Sequence, residues 1–149
     1  MTKLQLRHYA PEVVSLDCSR GYQQASDHKP NGFWVTVPGE DDWPSWCRAE
    51  QFDLPGLAVE HEVVLAASAE ILVLDSAAAV REFDRDYATG PWRVDWTTVA
   101  EQFDGIVIAP YQWSLRLDGP SWYYTWDVAS GCIWNLDVVE SVQVLERAR

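Results

Sequence analysis

Apolar and polar residues change their spacing several times along this chain, and each spacing predicts an element. Residues 4–10 alternate, with Leu4, Leu6 and His8 on one side and Gln5, Arg7 and Tyr9 on the other. A period of two predicts a strand. Residues 15–31 are polar and turn-rich and read as an exposed loop. Pro30-Asn31-Gly32 then turns the chain into a second strand over 32–37, Gly-Phe-Trp-Val-Thr-Val. The acidic residues Glu40, Asp41 and Asp42, with Pro44 in the first turn, predict a helix start. Alternation returns over 54–66, where Val59, His61 and Val63 share one face of a third strand. Residues 71–75, Ile-Leu-Val-Leu-Asp, are expected to be its hairpin partner.

The spacing then becomes helical. Ser76 is an N-cap residue ahead of an apolar stripe of Val80, Phe83 and Tyr87, which stops near Thr89-Gly90-Pro91. Asp95 is placed to cap a second short helix, with Trp96, Val99, Ala100 and Phe103 on one side. Residues 105–110 form a near-continuous apolar strand. The stretches 122–128 and 131–135 are rich in strand-forming residues, and residues 141–146 read as a closing strand with Val142 and Val144 on one face. The order lacks a regular strand–helix–strand alternation. It predicts one α+β domain over residues 1–149, with mixed or antiparallel strands and a few short helices.

Composition narrows the function. The chain has 149 residues, 48% of them hydrophobic, which suits a single core. Nine tryptophans exceed what one small core needs, and some are expected to line a cleft or an interface. A net charge of -12, from 23 acidic and 11 basic residues, argues against direct nucleic-acid binding. The acidity serves solubility, or docking on basic surfaces, including those that bind nucleic acid. Three cysteines without a CxxC pair suggest neither a disulfide framework nor a zinc site. No signal-like or membrane-spanning stretch is present in the sequence, so a cytoplasmic, membrane-free protein is expected.

Candidate site residues follow from the same reading. Lys29 and Asn31 flank Pro30 before the aromatic strand, either as plain turn residues or, for Lys29, as a cation aimed at a diphosphate. Trp34 reads as core or as a cleft wall, on one face with Thr36. His8 is either a ligand-holding side chain or a satisfied strand histidine, and His61 reads as structural. The segment from Tyr111 through Trp113 to Arg116 is a candidate substrate or partner loop. The span Trp122–Trp134, which includes Trp126, is a candidate hydrophobic wall, with Ser130-Gly131 giving backbone room near a ligand. Cys132 as a nucleophile is disfavoured, since inert buried cysteine is the commoner state. No GxSxG, HExxH, GxxxxGK or GxGxxG pattern occurs, and three dispersed histidines leave metal catalysis unsupported.

A family resemblance emerges from these motifs. The His8 strand, the following loop and Gly32-Phe33-Trp34-Val35-Thr36 resemble the first two motifs of the ADP-ribosyltransferase-like fold. Phe103-Asp104-Gly105-Ile106-Val107-Ile108 resembles the "YDGVIV" strand of its small bacterial and phage members. Cys132-Ile133-Trp134-Asn135 and Val138–Val142 resemble their ending. The chain also looks like a group of uncharacterised phage proteins with "KPRGLW" and "ASGCIW" signatures, over nearly its whole length. The transferase resemblance implies NAD as the bound substrate and no metal. His8 would hold the adenosine ribose, while Thr36 and Trp34 would support the nicotinamide end. Tyr9, Lys29, Asn31, Gly32, Tyr111, Trp113, Trp122, Trp126 and Ser130 would be ligand-binding. The family's late Glu is replaced here by Ala129-Ser130-Gly131, which leaves Asp127 as the substitute carboxylate. The implied activity is transfer of ADP-ribose to a host macromolecule. The alternative is an inactive member that binds a nucleotide or a host protein through an acidic, Trp-rich surface.

Overall fold

The computed structural model describes residues 4–145. The elements run β1 (Leu6–Ala10), β2 (Ser26–Asp27), β3 (Phe33–Thr36), α1 (Trp43–Glu50), β4 (Val59–Leu65), β5 (Ile71–Leu74) and α2 (Ala77–Tyr87). They continue as β6 (Ala88–Gly90), β7 (Arg93–Asp95), α3 (Trp96–Gln102), β8 (Gly105–Ile108), β9 (Ser130–Ile133) and β10 (Val139–Val144). A seven-stranded sheet has the order β10-β4-β1-β3-β9-β8-β5, and a three-stranded sheet has the order β2-β7-β6. The fold is α+β. Every neighbouring pair in the large sheet is antiparallel except β5 with β8.

Local chemistry explains the helix starts. The side chains of Asp42, Ser76 and Asp95 accept from the amides of Ser45, Ala79 and Thr98, so each helix has one otherwise orphaned donor satisfied. Val80 and Phe83 of α2 and Trp96 and Val99 of α3 are buried, as their spacing predicts. The central strands β8 and β9 are buried at every position; β8 is the continuous apolar run, and in β9 the buried Ser130 hydroxyl is satisfied by the Val128 carbonyl.

Several expectations are corrected. β5 is not the hairpin partner of β4: it lies at the far edge of the sheet, parallel to β8, from Ile71 opposite Gly105 to Leu74 opposite Ile108. The residues between them are drawn apart, with the Ala66 amide donating to Val138 and the Glu70 amide to the Asp104 carboxylate. Residues 122–128 are not a strand. Ser121–Thr125 form a 3-10 helix, in which Tyr123 donates to Pro120 and Trp126 to Tyr123. Wound this way, the segment puts Trp122, Tyr123 and Trp126 into the interior, whereas strand alternation would turn one of two neighbours outward. Part of the expected 15–31 loop, Ser26–Asp27, pairs with β7, and Leu4 is exposed ahead of β1. The closing strand starts earlier, at Val139, and Glu146 of its expected range lies outside the described residues.

Candidate functional site

The large sheet is weakest between β1 and β3. β1 pairs with β4 along its whole length, from Leu6 opposite Val63 to Ala10 opposite Val59. Its ladder with β3 consists of one pair, Arg7 with Thr36. Beyond that pair the His8 imidazole takes over the bridging: its Nδ1–H donates to the Trp34 carbonyl at 2.6 Å, and its ring stacks on Phe33 at 4.3 Å. His61 braces the same seam from behind. It is fully buried, donates from Nδ1 to the His8 carbonyl at 3.0 Å and accepts from the Val14 amide at Nε2 at 2.9 Å. Both of its ring nitrogens are therefore committed to structure.

Where the two strands part, a cavity of about 360 Å³ opens, lined by residues of β1, β3, the start of α1 and the 126–130 segment. That volume lies at the small end of the roughly 300–1,000 Å³ range of small-molecule sites. Aromatic walls come from Tyr9, Trp34, Trp43 and Trp126, with Trp34 and Trp126 meeting edge to face at 5.2 Å. His8, Lys29, Thr36, Asp127 and Ser130 complete the lining, along with Arg7, Val35 and Val128. Most of the residues singled out in the sequence as a possible ligand site thus converge on one cavity.

Their hydrogen bonds divide them into committed and free groups. The Thr36 hydroxyl donates to the Ala129 carbonyl at 3.0 Å and accepts from the Trp43 amide at 2.9 Å, tying β3 to the start of α1. The Ser130 hydroxyl donates to Val128, and the Tyr9 hydroxyl donates to Glu60 at 2.6 Å. Arg7 lies 3.6 Å from Glu60 and 3.9 Å from Glu62. Asp127 is held at 3.0 Å by Arg116.

Lys29 is different. It has no ion-pair partner within 4 Å among the described residues, and its ammonium sits 5.6 Å from the centre of the Trp34 ring. Burial pushes its pKa down, an effect that the Asp127 charge partly offsets. Burial likewise lowers the pKa of His8, against the pull of its bond to the Trp34 carbonyl, while nearby His61 lowers it further. The ring is neutral at pH 7, with Nδ1 donating. The buried indole Nε1–H of Trp126 finds no acceptor among the described residues.

Other expected site residues lie elsewhere. Trp122 is a core residue, fully buried, and its indole donates to Asp84 at 2.8 Å. Tyr111 is buried too. Its hydroxyl donates to the Trp126 carbonyl and accepts from Arg116, so it fixes the cavity wall from behind. Trp113 is 61% exposed, outside the cavity lining, and donates to Asp41. Asn31 and Gly32 line a separate open depression of about 400 Å³ on which Trp34 also borders. Gly32 is required by packing: a Cβ there would stand 2.6 Å from the Cys132 sulfur and 2.7 Å from the Ile133 carbonyl oxygen. Cys132 is buried, and burial drives its thiol pKa far up, which removes it as a nucleophile.

Sequence reasoning missed Arg7 and Trp43 as lining residues. Arg7 shares the Tyr9 side of β1, a signal that alternation already carried. Trp43 is brought in by the bond from its amide to Thr36, which no local pattern announces. No family model, curated protein or solved structure matches the chain. Among the described residues, no group of three or more His, Cys, Asp or Glu side chains is arranged to hold a metal ion. No helix among them is long and apolar enough to cross a membrane.

Proposed function

We propose that the protein binds a planar, anionic small molecule of the nucleotide type in the β1–β3 cleft, and that it holds this ligand without transforming it. The observation that carries this reading is Lys29, a partly desolvated cation without an ion pair in a cavity walled by aromatic rings. A cation kept there destabilises the empty protein, and a ligand phosphate or carboxylate would offset that cost. The tryptophan faces supply stacking for a flat base or pyridine ring. His8 offers a neutral Nε2 as an acceptor for a ligand hydroxyl or amino group.

Transfer chemistry has less to draw on. Thr36 and Ser130 spend their hydroxyl protons on backbone carbonyls, and Asp127 is engaged by Arg116. One observation supports the ADP-ribosyltransferase reading as the second: Asp127 lines the same cavity as His8 and Thr36, so a carboxylate would be at hand for the positive charge that develops on the ribose as nicotinamide leaves.

Titration with NAD, ADP-ribose and nicotinamide, read by tryptophan fluorescence and thermal shift, tests both. The binder reading expects NAD or ADP-ribose to quench fluorescence and raise the melting temperature. Uncharged nicotinamide should bind weakly, and Lys29→Met should cost at least about tenfold in affinity. Asp127→Asn should leave binding near the wild-type level with no product formed. Release of nicotinamide that disappears in Asp127→Asn would replace the binder with the transferase. If none of the three compounds binds, both readings fall.

A further inference from the structure

A second surface carries its own chemistry. Along α1, Trp43, Trp46 and Glu50 occupy positions i, i+3 and i+7 and so form one stripe. The two indoles stack at 5.3 Å with 12° between their planes. Just after the helix, Phe52 sets its ring edge-on to both, at 6.1 Å from Trp43 and 5.6 Å from Trp46, while remaining 51% exposed. Leu54, 41% exposed, follows it.

Two caps set the position of Phe52. Gln51 ends α1 in a left-handed conformation with φ of 53°, and the amides of Gln51 and Phe52 both bond to the Cys47 carbonyl. Asp53, also left-handed with φ of 44°, leads into the 3-10 turn Leu54–Leu57. The phenyl ring between these two caps stays at the surface.

The flanking charges define what fits. Glu50 and Asp53 are exposed and have no ion-pair partner within 4 Å among the described residues. Arg48, two residues from Trp46 on the helix, points away from the stripe. A second copy of this chain is a poor occupant, since each copy carries a net charge of -12.

We propose that the Trp43–Trp46–Phe52 stack, with Glu50 and Asp53 at its border, is a docking site for an arginine-bearing segment of a partner protein. A guanidinium stacks flat on an aromatic face and pairs two-pronged with a carboxylate, and the stripe offers both groups side by side. Lysine, a strongly hydrated point charge, matches only the carboxylates.

The test is NMR titration of the full chain with acetyl-(Gly-Arg)4-amide and with its Gly-Lys counterpart, at 150 mM salt, following the tryptophan indole N–H signals. The arginine peptide should shift the Trp43 and Trp46 signals and bind about tenfold more tightly than the lysine peptide. Phe52→Ala and Glu50→Gln should each weaken it roughly 3- to 10-fold, with melting curves checking that both variants are folded. Equal binding of the two peptides, shifts spread over the whole acidic surface, or no binding of either overturns the proposal. So does undiminished binding by both variants. Trp43 borders both the cavity and the stack, so the Trp46 signal and the Phe52→Ala variant report on this site alone, and the NAD and ADP-ribose titration of Phe52→Ala should match the wild type.

Discussion

The tryptophans of the interior and those of the cleft share a side chain and differ in how their polar edge is treated. In the interior, Trp96 donates to the Asp27 carbonyl, Trp122 to the Asp84 carboxylate and Trp134 to the Phe103 carbonyl. Trp122 and Trp96 pack on Phe83, edge-on at 5.5 Å and tilted at 5.6 Å, and Trp134 meets Trp96 at 6.4 Å. At the cleft, Trp126 is buried and its Nε1–H has no acceptor among the described residues. A buried donor without an acceptor costs about 1–3 kcal/mol. Interior indoles are built for stability, and the cleft accepts a penalty beside a cavity. The contrast teaches that tryptophan count alone says little: three interior indoles are paired, and one buried indole beside the cavity has no partner among the described residues.

Breaking the contrast at its strongest point gives the largest effect. Trp122→Ala should destabilise the fold by about 3–5 kcal/mol in urea denaturation, because it opens a core cavity and strands Asp84. Trp34→Ala should cost no more than about 1 kcal/mol and instead abolish the fluorescence response to NAD or ADP-ribose. Equal losses of stability in the two variants would erase the distinction.

Lys29→Met sharpens the comparison from the electrostatic side. Removing a partly desolvated cation should raise the melting temperature of the unliganded protein by a few degrees while it weakens binding. A lowered melting temperature would show that Lys29 stabilises the empty cleft and would remove the reason for a ligand anion.

The smallest expected effect is the pH response of His8. Its folded pKa is lowered by burial, so protonation favours the unfolded chain. The stability it contributes is complete above its ordinary value of about 6.5 and declines as pH falls through that value toward the depressed folded one. His8→Asn retains a donor for the Trp34 carbonyl and cannot titrate. Urea midpoints at pH 7.5 and 5.5 should therefore fall further in the wild type than in the variant.

Much of the architecture was legible where local chemistry decides it. Asp42, Ser76 and Asp95 cap the helices they were expected to cap, and His61 is the structural histidine that its alternating strand suggested. Pairing partners were not legible. Nothing within residues 71–74 says whether the strand answers β4 through a hairpin or β8 through a crossover, since the choice rests on what the helices between them bury. The aromatic run at 122–126 misled because strand propensity reports a fit to a half-buried surface, and these rings are buried on a 3-10 turn. In the candidate site, His8, Trp34, Thr36 and the segment holding Asp127 were expected as walls of one cleft, and they line one cavity. The commitment of Thr36 to Trp43 and of Asp127 to Arg116 was not legible, because both depend on contacts between segments distant in sequence.

The single residue pair joining β1 to β3 makes the large sheet two panels, β10-β4-β1 and β3-β9-β8-β5, welded at one point and latched by an imidazole. A sheet welded along its full width resists shear as one plate. This one has a compliant line through its middle, and the cavity opens along that line. A ligand of the kind proposed would touch both panels at once and act as a rivet between them, joining β10-β4-β1 to β3-β9-β8-β5 across the seam that the single strand pair leaves open.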